Sequence, residues 1–237
     1  MRRESRGLIF ATILTATPLA IVGTAGCRER PRTEPHSFTS SVGATAWRQA
    51  RPEKRYEAEI GRITVPEVRS NPRSRSIEIA FMRVPSRNPE PGPPTFIFTG
   101  GPGGSATRDA EWYAHLIPDL LDLGDVVGVD QRGVGRSVPN LDEEFSRDLP
   151  FEEPTDPDRI LGIYRELAAE AQAYWSRRSV ALTGYNTLET ADDVEAVRRA
   201  LGYDKINLLG FSYGSHIALS VIRRHGRHVA KAVLKGV

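Results

Sequence analysis

The sequence predicts an α/β fold, a mostly parallel sheet with helices on both faces. Three observations point there. From Tyr56 onward, short apolar runs that suit strands alternate with longer segments whose apolar residues recur at helical spacing. Alternation of this kind supplies the crossovers that parallel strands require. Three of the runs also end in polar, glycine-rich loops, at Gly100-Gly101-Pro102-Gly103-Gly104-Ser105, at Gln131-Arg132-Gly133-Val134-Gly135 and at Gly210-Phe211-Ser212-Tyr213-Gly214. Open parallel sheets build their sites from loops at the carboxyl ends of their strands.

The elements follow in order. Met1-Arg2-Arg3-Glu4-Ser5-Arg6 is a basic start, followed by an apolar run from Leu8 to Val22 and small residues up to Gly26. Residues 1–27 therefore read as a bacterial export signal. Thr15, Thr17 and Pro18 interrupt the run, which is too short for a comfortable membrane span. Cys27 is the only cysteine, so no intrachain disulfide can form. Its place after Ala25-Gly26 is similar to a lipoprotein processing site, with Thr24 where leucine is usual. Lipid attachment to the membrane and simple secretion both stay open. Residues 28–55, rich in Pro, Arg, Ser and Thr, read as a tether.

Residues 56–237 form the folded part. Strands are expected at Tyr56–Val65, Ile77–Val84, Thr95–Thr99, Val126–Asp130, Ile206–Leu209 and Val229–Leu234. Helices are expected at Arg108–Leu121, Pro157–Arg178, Leu188–Leu201 and Ser215–Arg224. The first two strands, joined through Ser70-Asn71-Pro72-Arg73, suit an antiparallel hairpin at one edge. Ile160, Ile163, Tyr164, Leu167, Ala171, Tyr174 and Trp175 make a stripe that reads as core packing. Asp192 and Asp193, near the start of the third helix, suit its dipole.

Ser212 is the leading candidate for chemistry. A serine between two glycines, with an apolar strand before it and a helix after it, is pushed into the open by a turn too tight for flanking side chains. Acyl transfer also needs backbone N–H donors for the oxyanion, in a place free of side chains. The N–H of Tyr213, just after the serine, is one candidate donor, and Gly101 in the upstream glycine loop is the other. That loop lacks both a following Gly-Lys-Ser/Thr and the Gly-x-Gly-x-x-Gly spacing, so a phosphate cradle is disfavoured. Asp130, at a strand end, reads as a loop-ordering residue, with direct catalysis as the alternative.

These motifs, taken in order, resemble the α/β-hydrolases of the prolyl-aminopeptidase and tripeptidyl-aminopeptidase group of serine peptidases. The likeness rests on Gly100–Gly104, on Asp130-Gln131-Arg132-Gly133-Val134-Gly135-Arg136-Ser137, on the Ser212 turn, and on Tyr185-Asn186-Thr187 through Lys205. It implies the α/β-hydrolase fold and a small peptide or ester substrate, with no cofactor and no metal. In that fold the triad runs serine, acid, histidine along the chain, and the last two lie beyond the strand after the nucleophile helix. Val237 comes at the end of that strand. The expectation is thus an N-terminal part of the domain, truncated there, without the triad acid and base. The resemblance implies part of an exported aminopeptidase, with an esterase or lipase on the same fold, or a catalytically inactive fragment, as alternatives. His36, His115, His216, His225 and His228 offer no substitute by position, and Lys235 reads as an exposed strand-end residue. The apolar last strand is expected to leave one edge unpaired.

Charge excludes a class of partner. Arg2, Arg3, Glu4 and Arg6 account for the whole formal charge of +2, and the remaining arginines are scattered. No basic face marks a nucleic-acid binder.

Overall fold

The computed structural model describes residues 38–39, 45–48, 55–108, 117–142 and 156–236. The stretch read as an export signal, Cys27, His36 and His115 lie outside the described residues. Eight strands and four α-helices follow one another in the described parts. They are β1 (Phe38–Thr39), β2 (Thr45–Arg48), β3 (Arg55–Pro66), β4 (Ser76–Val84), β5 (Thr95–Phe98), α1 (Ile117–Leu121), β6 (Val126–Val129), α2 (Pro157–Arg177), α3 (Thr187–Ala200), β7 (Ile206–Phe211), α4 (Tyr213–His225) and β8 (Val229–Lys235).

The sheet runs β1-β3-β4-β6-β5-β7-β8, with β2 also paired to β3. The β3–β4 hairpin is antiparallel and meets β6 antiparallel, whereas β6, β5, β7 and β8 are mutually parallel. Every residue of β5 and β6 is buried, as expected of central parallel strands covered on both faces.

Alternation along the strands sorts the core into two layers. Phe96, Phe98, Val127, Val129, Ile206 and Leu208 pack on one side, against Ala191, Val194 and Val197 of α3 and Ile217, Ala218 and Val221 of α4. Ile97, Val126, Met82 and Val84 face the other side with Leu121 of α1, and Leu209 and Phe211 close over them. Each fully buried Val, Leu, Ile, Phe or Met among them contributes roughly 1.5–3 kcal/mol, so these layers hold the strand ends in place. Helices thus lie on both faces.

Buried ion pairs lock α3 to the hairpin end of the sheet. Arg132 donates through Nε and Nη2 to Asp193, both at 2.8 Å. It also donates through Nη1 to the carbonyls of Glu67 (2.6 Å) and Gly184 (2.5 Å). Arg69 reaches the same Asp193 at 2.5 Å and Glu189 at 2.6 Å. Asp193 is therefore a buried tertiary acceptor and not a dipole residue, because it faces the sheet and not solvent.

Other expectations are revised. Two short strands, β1 and β2, fall within the stretch read as a tether and pair with β3. Only residues 117–121 of the expected Arg108–Leu121 helix are described as helix, since 109–116 lie outside the described residues. The α2 stripe is not core packing along its length. Trp175 alone is buried, and Tyr164 is 62% exposed. The helical period is present, but Ile160, Ile163, Leu167, Ala171 and Tyr174 are only half-buried. β8 is mostly exposed, with Val233 at 56%, and stands last in the sheet among the described strands.

Candidate active site

β7 ends at Phe211, α4 begins at Tyr213, and Ser212 alone makes the turn, with φ 50° and ψ −123°. Positive φ at a residue with a side chain costs about 1–3 kcal/mol and persists only where the surroundings enforce it. Here they do. A Cβ on Gly210 would lie 2.7 Å from the carbonyl oxygen of Gly214, and one on Gly214 would run into the carbonyls of Phe98 and Thr99. The Ser212 N–H donates to the carbonyl of Lys235 at 2.7 Å, and its own carbonyl accepts the N–H of Ser215 at 2.8 Å. The Ser215 hydroxyl bridges the carbonyls of Gly210 (3.2 Å) and Lys235 (3.3 Å). The Lys235 side chain is exposed as expected, but its backbone carbonyl holds the turn, a contact that side-chain chemistry could not reveal.

A serine at a helix N-cap ordinarily uses its side-chain oxygen to accept an N–H of the first turn. Ser212 occupies the N-cap of α4 and makes no such bond, and the residue is exposed. The hydroxyl is thus left available for chemistry. It stands at the positive end of a 13-residue helix whose last turn carries Arg223, Arg224 and His225 at the negative end.

The glycine loop lies against this serine. A Cβ on Gly100 would be 3.2 Å from Ser212 Cβ and 3.7 Å from Ser212 Oγ. Gly101 follows with φ +114°, where a Cβ would meet the backbone nitrogen of Gly103 at 2.7 Å. The N–H of Gly104 closes the loop onto the carbonyl of Gly100 at 3.1 Å. Ser212, the start of α4 at Tyr213, and Gly100–Gly101 are therefore brought together from β7 and β5. Gly100, which makes the closest approach, was not singled out by sequence, where Gly101 alone was named.

Asp130 is wholly buried and its carboxylate is fully engaged. Oδ1 accepts the Ser105 hydroxyl and the Thr107 N–H, each at 2.9 Å. Oδ2 accepts the Arg136 N–H at 2.8 Å and the Thr107 hydroxyl. Of the two sequence readings, the geometry bears out the loop-ordering one.

The three histidines among the described residues make their contacts elsewhere. The exposed His216 stacks on the Tyr213 ring, with centroids 6.0 Å apart. The Tyr213 hydroxyl is 2.7 Å from Thr187 Oγ1. His225 Nε2 lies 2.8 Å from Asp192 Oδ1, and Arg224 donates to the same carboxylate at 2.6 and 2.8 Å. Burial works to raise the Asp192 carboxyl, but the bonds to His225 and Arg224 outweigh it and hold the group well below the usual carboxylate range. His228 accepts from Arg227 Nε at 2.9 Å and lies 3.0 Å from the Asp204 carbonyl. An open groove of about 360 Å³ runs along the outer face of α4, lined by Thr187, Tyr213, His216, Leu219, Ser220 and Arg223.

Comparison with known proteins gives this arrangement a family. The chain is 29% identical over 247 residues to serine protease Hip1 of Mycobacterium tuberculosis, covering 98% of this chain and 46% of that protein. It is 30% identical over 190 residues to tripeptidyl aminopeptidase of Streptomyces lividans, covering 76% of this chain and 35% of that one. It is 32% identical over 245 residues to carboxylesterase B of Mycobacterium tuberculosis, covering 97% and 46%. The chain spans less than half the length of these curated relatives. Residues 93–237 match the model of the α/β-hydrolase fold family, the segment that holds the glycine loop, Asp130 and the Ser212 turn. The chain belongs to the α/β-hydrolase fold family.

Proposed function

We propose that this chain carries the nucleophile and the oxyanion hole of an exported serine hydrolase. The enzyme would resemble the prolyl- and tripeptidyl-aminopeptidases and release N-terminal residues or short peptides through an acyl-enzyme at Ser212. One observation carries the reading: a serine held at φ 50° whose hydroxyl makes no capping bond, with a side-chain-free loop against it. In the reaction, the Ser212 oxygen bonds to the scissile carbonyl carbon as its proton passes to a general base, and the N–H groups of Tyr213 and Gly101 receive the oxyanion. Collapse breaks the scissile bond, the amine leaves with that proton, and water then releases the acyl group from Ser212. No residue of this chain is assigned the part of triad acid or base.

The relative named carboxylesterase B supports a second reading, an esterase on the same framework, because the fold does not separate esters from amides. A fluorophosphonate probe and two substrates test both. Labelling should be lost in Ser212→Ala. Release of N-terminal peptides marks the peptidase, whereas turnover of p-nitrophenyl esters without such release marks the esterase. Labelling that survives in the alanine variant would remove Ser212 from the chemistry.

We also propose that residues 1–27 direct export and that Cys27 is lipidated. Wild-type protein should then partition into detergent, and Cys27→Ser should leave the membrane fraction or stay unprocessed. Recovery of the wild type wholly in the secreted soluble fraction would leave ordinary signal cleavage.

A further inference from the structure

We infer that Asp130 is a positioning residue whose carboxylate sets the glycine loop against Ser212 by gripping the segment that follows the loop. The inference rests on Ser212 and Gly101 acting as proposed above, and it gives the loop after β6 a part in building the oxyanion hole. Asp130 is 0% exposed, so its charge needs full hydrogen bonding to be tolerated. Its donors come from two loops. Ser105 and Thr107 follow the glycines of the β5 loop, and Arg136 lies in the loop after β6. Ser105 is bonded to the chain next to Gly104, Gly104 is tied back to the Gly100 carbonyl at 3.1 Å, and Gly100 lies so near Ser212 that a Cβ on it would be 3.2 Å from Ser212 Cβ. Gly135, at φ +63°, packs so closely over the knot that any Cβ there would collide with Asp130 Oδ2 and Ser105 Oγ.

A carboxylate is required here, and an amide of the same shape does not serve. The hydroxyls of Ser105 and Thr107 can rotate to donate or accept, but a backbone N–H cannot reverse. The Thr107 N–H faces Oδ1 and the Arg136 N–H faces Oδ2. An asparagine has one oxygen, so whichever way its amide turns, its NH2 confronts one of these two N–H groups. Asp130→Asn must therefore release one of the two loops while changing volume very little.

The experiment compares Asp130→Asn with wild type by amide exchange and by steady-state kinetics. Exchange at Gly100, Gly101, Gly103 and Gly104 should rise about tenfold or more, with Leu208 and Leu209 of β7 unchanged, as for a local opening. In enzyme whose active sites have been counted by fluorophosphonate titration of a separate aliquot, kcat should fall about tenfold or more while KM moves less than about threefold, because the loop donor acts mainly in the transition state. Wild-type exchange, or wild-type kcat in a folded Asp130→Asn protein, overturns the inference. A raised KM with kcat intact also overturns it, since the carboxylate would then shape binding alone. If Asp130→Asn loses protection in β7 as well, Ser105→Ala decides by the same two measurements, and no change in either one counts against the proposal. If the whole enzyme that contains this chain is not labelled at Ser212, the functional reading fails, and loop exchange alone decides whether Asp130 positions the loop.

Discussion

Helix α4 has a hydroxyl at one end and a histidine–carboxylate pair at the other, and the two ends are built on opposite principles. At the N-terminus, Ser212 is held in a strained conformation by backbone contacts only, and its side chain bonds to nothing in the cap. At the C-terminus, Arg224 and His225 share the Asp192 carboxylate of α3, side chain to side chain. The first end keeps a reactive group available; the second docks one helix on another. Serine, histidine and aspartate on neighbouring helices do not make a relay. With 13 residues in α4 and a rise of about 1.5 Å per residue, the two ends are separated by roughly 20 Å. Proton transfer needs hydrogen-bond reach.

The largest expected effect tests that separation directly. Ser212→Ala should abolish fluorophosphonate labelling, whereas His225→Ala should leave it near wild type, with intact-mass spectrometry as the readout. Loss of labelling in His225→Ala would mean that the two ends work together after all. Next in size is Gly101→Val. Its side chain would be strained at positive φ and would crowd Gly103. Turnover should fall by roughly two to three orders of magnitude with a smaller change in KM, and an unchanged kcat would remove the loop from the oxyanion hole.

The smallest effect belongs to the docking end. Asp192→Asn should lower stability at neutral pH by about 1 kcal/mol, after discounting for solvent screening, as measured by urea unfolding. The sign with pH follows from a depressed folded-state value. The stabilisation is fully present above the unfolded carboxyl value of 3.8 and is lost as pH falls through the lower, folded one. Wild type and Asp192→Asn should thus converge only in strong acid. Convergence near neutrality would show that another group carries the contact.

The two ends also differ in how far the sequence disclosed them. The serine turn was legible because its demands are local. Two glycines, a strand before and a helix after can be read within a dozen residues, and the helix began only two residues earlier than expected, at Tyr213. The docking end was not legible. Asp192 and Asp193 sit side by side and read alike, yet one pairs with α4 and the other with Arg132 and Arg69, partners set by the packing of α3. The same limit applies to α2. Its period was plain, but periodicity cannot say whether a stripe has anything to pack against. Asp130 lies between these cases. Its place at a strand end was visible, while the donors that fix its role come from Ser105, Thr107 and Arg136, which only the fold gathers.

The bond from the Ser212 N–H to the Lys235 carbonyl has a consequence for the order in which the molecule is assembled. A strained turn worth about 1–3 kcal/mol persists only where its surroundings enforce it, and one of the bonds that hold this one comes from β8. It waits for β8, a strand made later and brought alongside β7 only after α4 has crossed between them. Contacts between segments distant in sequence form late, because chain closure must come first. During synthesis, a nascent chain that has not yet delivered Lys235 can hold its central strands in place while the turn at Ser212 relaxes toward ordinary backbone angles. The φ 50° conformation of the turn is therefore completed by the last strand described.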